Sequence, residues 1–129
     1  MFENNIIHKL SKTFAVRVVK LCSHLKKTYQ FDYIVETMAK QMLRSGTSIG
    51  ANVRESKAAQ STADFISKMK IALKEGDECI YWLELLHDTG YLNETEFTSI
   101  YNDNRQINAT LVKIINSTLN RYSVNLLIC

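Results

Sequence analysis

The run LRSGTSIGANVRESKAA, Leu43 to Ala59, lies in the middle of what otherwise reads as a helix, yet it holds two glycines four residues apart and then Asn and Glu three apart. Set at 100° per residue, Met38, Met42, Ser45, Ile49 and Ser56 form the centre of one stripe. Ala39, Gly46 and Gly50 gather on one flank, and Gln41, Ser48, Asn52 and Glu55 on the other. The small flank admits another helix at close range, because each interior glycine costs about 1 kcal/mol against Ala and close packing has to offset that. The polar flank is a ladder at one-turn spacing. Asn52 and Glu55 either find partners in a buried seam, where they would fix register or association state, or sit solvated at the edge of the fold.

Three further periodic segments surround this one. Ile7, Leu10, Phe14, Val18, Leu21 and Leu25 share a face of a first helix, expected over about Asn5 to Lys27. The loop TYQFD follows, with Asp32 as N-cap of the second helix, whose apolar stripe is Met38, Met42, Ile49 and Val53. A third helix opens at STAD, where Ser61 and Asp64 have capping-box spacing, and runs along Phe65, Met69, Ala72, Gly76, Ile80, Leu83 and Leu86. It should end at HDTG, with Gly90 left-handed after the last turn. NETE starts the fourth, with capping-box spacing from Asn93 to Glu96, and Phe97, Ile100, Ile107, Leu111, Ile115 and Leu119 face inward.

Composition agrees with this pattern. Across 129 residues, 46% apolar, there is no proline, only four glycines and no low-complexity run. These features predict one domain of long helices. Short connections between long amphipathic helices make neighbours antiparallel, so the expected fold is an all-α, up-and-down antiparallel four-helix bundle spanning residues 1–129. MFENNIIHKL lacks the apolar core of a signal peptide and no run approaches a membrane span, which points to the cytoplasm and no membrane partner. The three cysteines Cys22, Cys79 and Cys129 form no CxxC, so reduced thiols and no zinc site are expected.

Ser48-Ile49-Gly50-Ala51-Asn52-Val53-Arg54-Glu55, then Asp64-Phe65-Ile66, Ile71-Ala72-Leu73, Glu78 and Gly90-Tyr91-Leu92 follow one another in an order that resembles the bacterial four-helix-bundle proteins known as 23S rRNA intervening-sequence, or S23, proteins. The resemblance covers roughly Gln41 to Phe97. It departs at the loop between the first two helices, where the family's common proline is missing, and at Glu75, where a small residue is usual. What it implies is a homopentameric bundle without known catalytic residues, encoded in some bacteria within insertions in 23S rRNA genes. The family is similar in fold to the accessory protein of diversity-generating retroelements, a basic pentamer that binds reverse transcriptase and nucleic acid.

Charge is unevenly distributed. The net charge of +3 is modest, but from Asn4 to Phe31 there is no acidic residue against six basic ones, and the rest of the chain is net negative. Lys9, Lys20, His24 and Lys27 form a stripe opposite the core face of the first helix, with Arg17 at its edge. Such a stripe either neutralises phosphates of RNA or DNA with little regard to sequence or is a solvated outer face. A ring of protomers would add their stripes into a common field.

On the third helix, Ile71, Trp82 and Leu85 lie with Glu78 away from the core stripe, which makes an interface or a helix wrapped on both sides. Glu78, Trp82 and Leu85, together with Gly46, Gly50, Asn52 and Glu55, form the expected contact surface between copies. The C-terminal VNLLIC is too short to span a membrane and is free to dock on a neighbour or fold back. Enzyme readings find little support. Glu84-Leu85-Leu86-His87 gives a single Glu-x-x-His where a di-iron bundle needs two, and no HExxH, GxSxG, P-loop or GxGxxG occurs. The sequence therefore predicts a non-catalytic, self-associating binding protein without cofactor. Nucleic acid, structured RNA foremost, is the leading partner, and a scaffold for another protein, such as a nucleic-acid-processing one, is the alternative.

Overall fold

The computed structural model describes the backbone of residues 5–128 and side chains from 6 to 123. Helix α1 spans Asn5–Thr28, α2 Tyr33–Glu55, α3 Thr62–Asp88 and α4 Glu94–Ile128, with a single 3-10 turn, Ser56–Ala58, between α2 and α3. Each helix packs antiparallel on the next, giving an up-and-down four-helix bundle. Val18 of α1 faces Gly46 of α2, Arg44 of α2 reaches Glu75 and Glu78 of α3, and Gly76 of α3 faces Asn108 of α4.

The helix ends follow from side chains that satisfy otherwise orphaned amides. Asp32 Oδ1 accepts from Ile34 N at 3.0 Å and Val35 N at 3.2 Å. Asn93 and Glu96 close a reciprocal box, with Glu96 N donating to Asn93 Oδ1 at 2.8 Å and Asn93 N to Glu96 Oε1 at 3.0 Å. At α3, Ser61 Oγ accepts from Asp64 N, but the Asp64 carboxylate accepts from the amide of Gln60 and not from that of Ser61. Gly90, at φ 87°, ends α3 as expected, and the amides of Tyr91 and Leu92 then turn back to Leu86 O.

The core is the expected set with a few exchanges. Ile7, Phe14, Val18 and Leu25 are buried, as are Met42, Ile49 and Val53, Phe65, Met69, Leu83 and Leu86, and Ile100, Ile107, Leu111 and Ile115. Fully burying one such side chain is worth about 1.5–3 kcal/mol. Leu10 and Leu21 are only half-buried, and Ser11 and Cys22 take the inward places beside them, because α2 lies on that flank of α1. Cys79 replaces Ile80 in the core because that side of α3 faces Gly46 of α2. On α4 two amides, Asn104 and Asn108, interrupt the apolar stripe.

The four seams differ in kind. α1 meets α2 through Gly46 and Gly50, and α2 meets α3 over nearly their whole length. At the α3–α4 seam, Asn104 Nδ2 donates to Gly76 O at 3.1 Å and to Asn108 Oδ1 at 3.3 Å, while Asn108 Nδ2 donates to Asp77 at 3.1 Å. The fourth seam, α1 with α4, is much the slightest. It is held at its edge by Arg17 with Asp103 and Ser99, and by His24 with Glu96 at 3.2 Å.

Candidate nucleic-acid interface

Lys9, Lys20 and Lys27 stand exposed on the outer face of α1, and among the described residues none of the three forms an ion pair. The helix places them there because the positions opposite Ile7, Phe14 and Leu25 carry no packing duty. Arg17 and His24 require a correction. Both lean toward α4, where Arg17 pairs with the Asp103 carboxylate and donates to Ser99 Oγ at 2.8 Å, and His24 meets Glu96. The Arg17 charge serves the α1–α4 edge and the His24 ring lies against Glu96 there, so the open positive face is narrower on that side than the sequence implies.

It is wider on the other side. Lys12, Lys26 and Lys40 are also exposed, and Lys26, Lys27 and Lys40 border a cavity between α1 and α2 of about 700 Å³, lined also by Cys22, Val35, Ala39 and Leu43. The turn at its end is firmly tied. Tyr29 packs edge-on against Tyr91 at 4.9 Å between ring centres and donates to Tyr91 O at 3.3 Å, and Tyr91 Oη donates to Asp32 at 2.8 Å. The α1–α2 turn is thereby bolted to the α3–α4 turn. Backbone N–H donation from Val35, then the Tyr91 hydroxyl and the Ile34 amide, hold the Asp32 carboxyl below the usual carboxylate range.

The residues expected between copies separate into two groups. Gly46 and Gly50 pack inside the protomer. A Cβ at 46 would lie 2.9 Å from both Val18 methyls and 3.3 Å from Cys79 Sγ, and one at 50 would lie 3.4 Å from Ser11 O. The close approach foreseen for this flank is made by α1, and these glycines are not available to a second bundle. Asn52, Glu55, Glu78 and Trp82 line the outer edge of the α2–α3 seam. Asn52 Nδ2 donates to Ser48 O at 2.9 Å, and Glu55 pairs with Lys68 at 3.2 Å, so both are satisfied at the bundle edge. Arg44 bridges Glu75 and Glu78, and Trp82 Nε1 donates to Glu78 Oε1 at 3.4 Å. The Arg44 guanidinium holds the Glu78 carboxyl low. Trp82 and Leu85 are half-buried against the core, and Tyr81 and Ile71 are the exposed apolar side chains of this face.

The two described cysteines are held as thiols. Burial pushes the Cys22 thiol up to about 11 and the Cys79 thiol up to about 12, so both stay protonated at neutral pH. His87 turns to Glu94 at 2.6 Å and stacks on Phe97 at 4.1 Å. The C-terminal Val124 to Cys129 side chains lie outside the described residues, although α4 continues through Ile128. No helix among the described residues is long and apolar enough to cross a membrane. The sequence reading missed three features: the Asn104–Asn108 pair, readable as two polar residues on the stripe of Ile100, Ile107 and Leu111; the ion pairs of α1 with α4; and Phe31 in the α1–α2 turn, which has φ 65° and is fully exposed.

Comparison with known proteins places this geometry among relatives. A family model described as 23S rRNA-intervening sequence protein matches residues 3–113. A crystal structure of a protein of unknown function, from the S23 ribosomal protein family of Bacteroides thetaiotaomicron VPI-5482, is 50% identical, with a TM-score of 0.80 over 87% of this chain and 96% of that one. No curated protein matches the chain.

Proposed function

The chain belongs to the 23S rRNA-intervening sequence protein family, and from that membership and the lysines of α1 we propose that it is a non-catalytic bundle that binds structured RNA or DNA through the outer face of α1 and the adjoining α1–α2 groove. The observation that carries this reading is the set Lys9, Lys20 and Lys27, exposed on one face, with Lys12, Lys26 and Lys40 continuing it toward α2. Lysines so placed neutralise phosphates and release counterions, which gives affinity with little sequence preference. Self-association into a ring, which the family resemblance implies, belongs to the same reading, because it would repeat this face around one ligand and raise avidity through effective concentration. The mass by light scattering at micromolar concentration tests that part.

The binding test is the salt dependence of affinity for a structured RNA and a DNA duplex. The log–log slope should be about −0.7 to −0.9 per phosphate neutralised. Replacing Lys9, Lys20 and Lys27 by Gln should flatten the slope without changing the melting temperature, since all three are exposed. A wild-type protein that binds neither ligand at low salt removes the nucleic-acid reading. The exposed Tyr81 and Ile71 beside Trp82 would then be the first surface to examine for a protein partner.

A further inference from the structure

Phe31 and Tyr33 stand out of the α1–α2 turn as residues 100% and 78% exposed. Phe31 does so in a left-handed conformation, φ 65°, which suits Gly, and among residues with a Cβ is best tolerated by Asn and Asp. A turn shaped only for folding would place one of those there, since the Phe31 ring recovers nothing from its own protomer. The turn is nevertheless rigid, because Tyr29, Tyr91 and Asp32 fix it on both sides of Phe31. Beside it runs the α1–α2 groove, about 700 Å³, with Leu43 on its wall and Lys26, Lys27 and Lys40 at its lips. Glu36 is the single acidic residue among those lining it.

Aromatic plates held outward on a rigid turn, an apolar slot and a cluster of ammonium groups form the combination that receives unpaired nucleotides, whose bases stack on rings while their phosphates meet cations. A duplex keeps its base faces inside the stack and can use only the lysines. An acidic amphipathic helix of another protein would satisfy the charge and fill the slot, but Tyr33 is not among the groove residues and would be left without a role. We propose that the α1–α2 end of the bundle binds the unpaired bases of an RNA loop or single-stranded end, with Phe31 and Tyr33 as stacking platforms and Lys26, Lys27 and Lys40 on the flanking phosphates. This rests on the nucleic-acid reading above and adds to it a preference for unpaired over paired segments.

The test is fluorescence anisotropy with labelled octauridylate and with a fully paired RNA duplex of about 16 base pairs, against wild type, the double variant Phe31→Ala/Tyr33→Ala, and the triple Gln variant of Lys9, Lys20 and Lys27. Removing the two rings should weaken octauridylate binding about tenfold or more and leave the duplex affinity and the salt slope unchanged, and Phe31→Tyr in place of Phe31→Ala should restore part of the loss. Circular dichroism melts should coincide with wild type or exceed it, because neither ring packs on the fold. If the double variant binds octauridylate like wild type while the lysine variant binds it weakly, stacking is wrong and the basic face alone carries the binding. Should wild type bind neither probe, this inference and the nucleic-acid reading fail together. An acidic amphipathic peptide that binds wild type in place of RNA, and is lost on Leu43→Glu, would assign the groove to a protein partner and overturn the proposal.

Discussion

Gly76→Ala should destabilise the bundle, although Ala is ordinarily the better helix residue. A methyl group at position 76 would occupy the place of Asn108 Oδ1, so the Asn108 side chain must rotate away. Rotation breaks its hydrogen bond to Asp77 and the one it accepts from Asn104, each worth about 0.5–1.5 kcal/mol. The displaced amide takes up a poorer rotamer at about 0.5–1.5 kcal/mol. Against this, leaving a helical glycine returns about 1 kcal/mol. The net expectation is a loss of about 2 kcal/mol, or about 6 to 10 °C in Tm for a domain of this size. Urea unfolding at a fixed protomer concentration measures it, and the decisive comparison is the same substitution in an Asn108→Ala background. There the obstructing oxygen is gone and Gly76→Ala should become stabilising by up to about 1 kcal/mol. A coupling energy near zero across this cycle, or a Gly76→Ala protein more stable than the parent, would refute the steric argument.

Gly46 and Gly50 should separate in the same assay. Gly46→Ala presses a methyl to 2.9 Å from the Val18 side chain and should cost about 1–3 kcal/mol, whereas Gly50→Ala meets Ser11 O at 3.4 Å and should gain about 0.5–1 kcal/mol; the opposite order would place these glycines in a different seam. The Asp32 carboxyl titrates lower in the folded protein than in the unfolded chain, so its contribution is complete above the unfolded value of about 4 and is lost as pH falls through the folded one. Unfolding midpoints measured from neutral pH down to pH 2.5 should show that loss, and Asp32→Asn should remove it while retaining an amide-accepting cap. With Cys129 replaced by Ser, the buried thiols Cys22 and Cys79 should resist iodoacetamide at about pH 8 and react on addition of urea; rapid labelling of the native protein would mean that the helices open at this point.

Much of the fold was legible because its signals are local. Asp32, Ser61, Asn93 and Gly90 act within four residues of themselves, and the inward stripe of α2, Met38, Met42, Ile49 and Val53, is set by helix periodicity alone. The errors arise where one helix answers another. Arg17 and His24 look free on the wheel of α1, and only the register that brings Asp103 and Glu96 alongside shows them to be paired. Gly46 and Gly50 mark a place of close approach in the sequence itself, but which helix approaches is a property of the assembled bundle. Asn104 and Asn108 were overlooked because the α4 stripe was traced through its apolar members, while the space left by Gly76 makes two amides fit there. The left-handed Phe31 depends on how two turns are tied together, which no window of the sequence contains.

The slight α1–α4 seam gives the molecule a hinge side. Helix α1 approaches α2 over much more of its length than it approaches α4, with which it shares the common core and the edge contacts, so the least costly partial opening should swing α1 away and leave α2, α3 and α4 together. Those edge contacts are exposed ion pairs that salt weakens, and the His24 member depends on protonation as well. The helix carrying the lysines is thus also the one whose amides should exchange with solvent through a sub-global fluctuation. A polyanion gripping both α1 and the α1–α2 groove would close that fluctuation, and its binding could be followed as slowed hydrogen exchange along α1 without any change of shape.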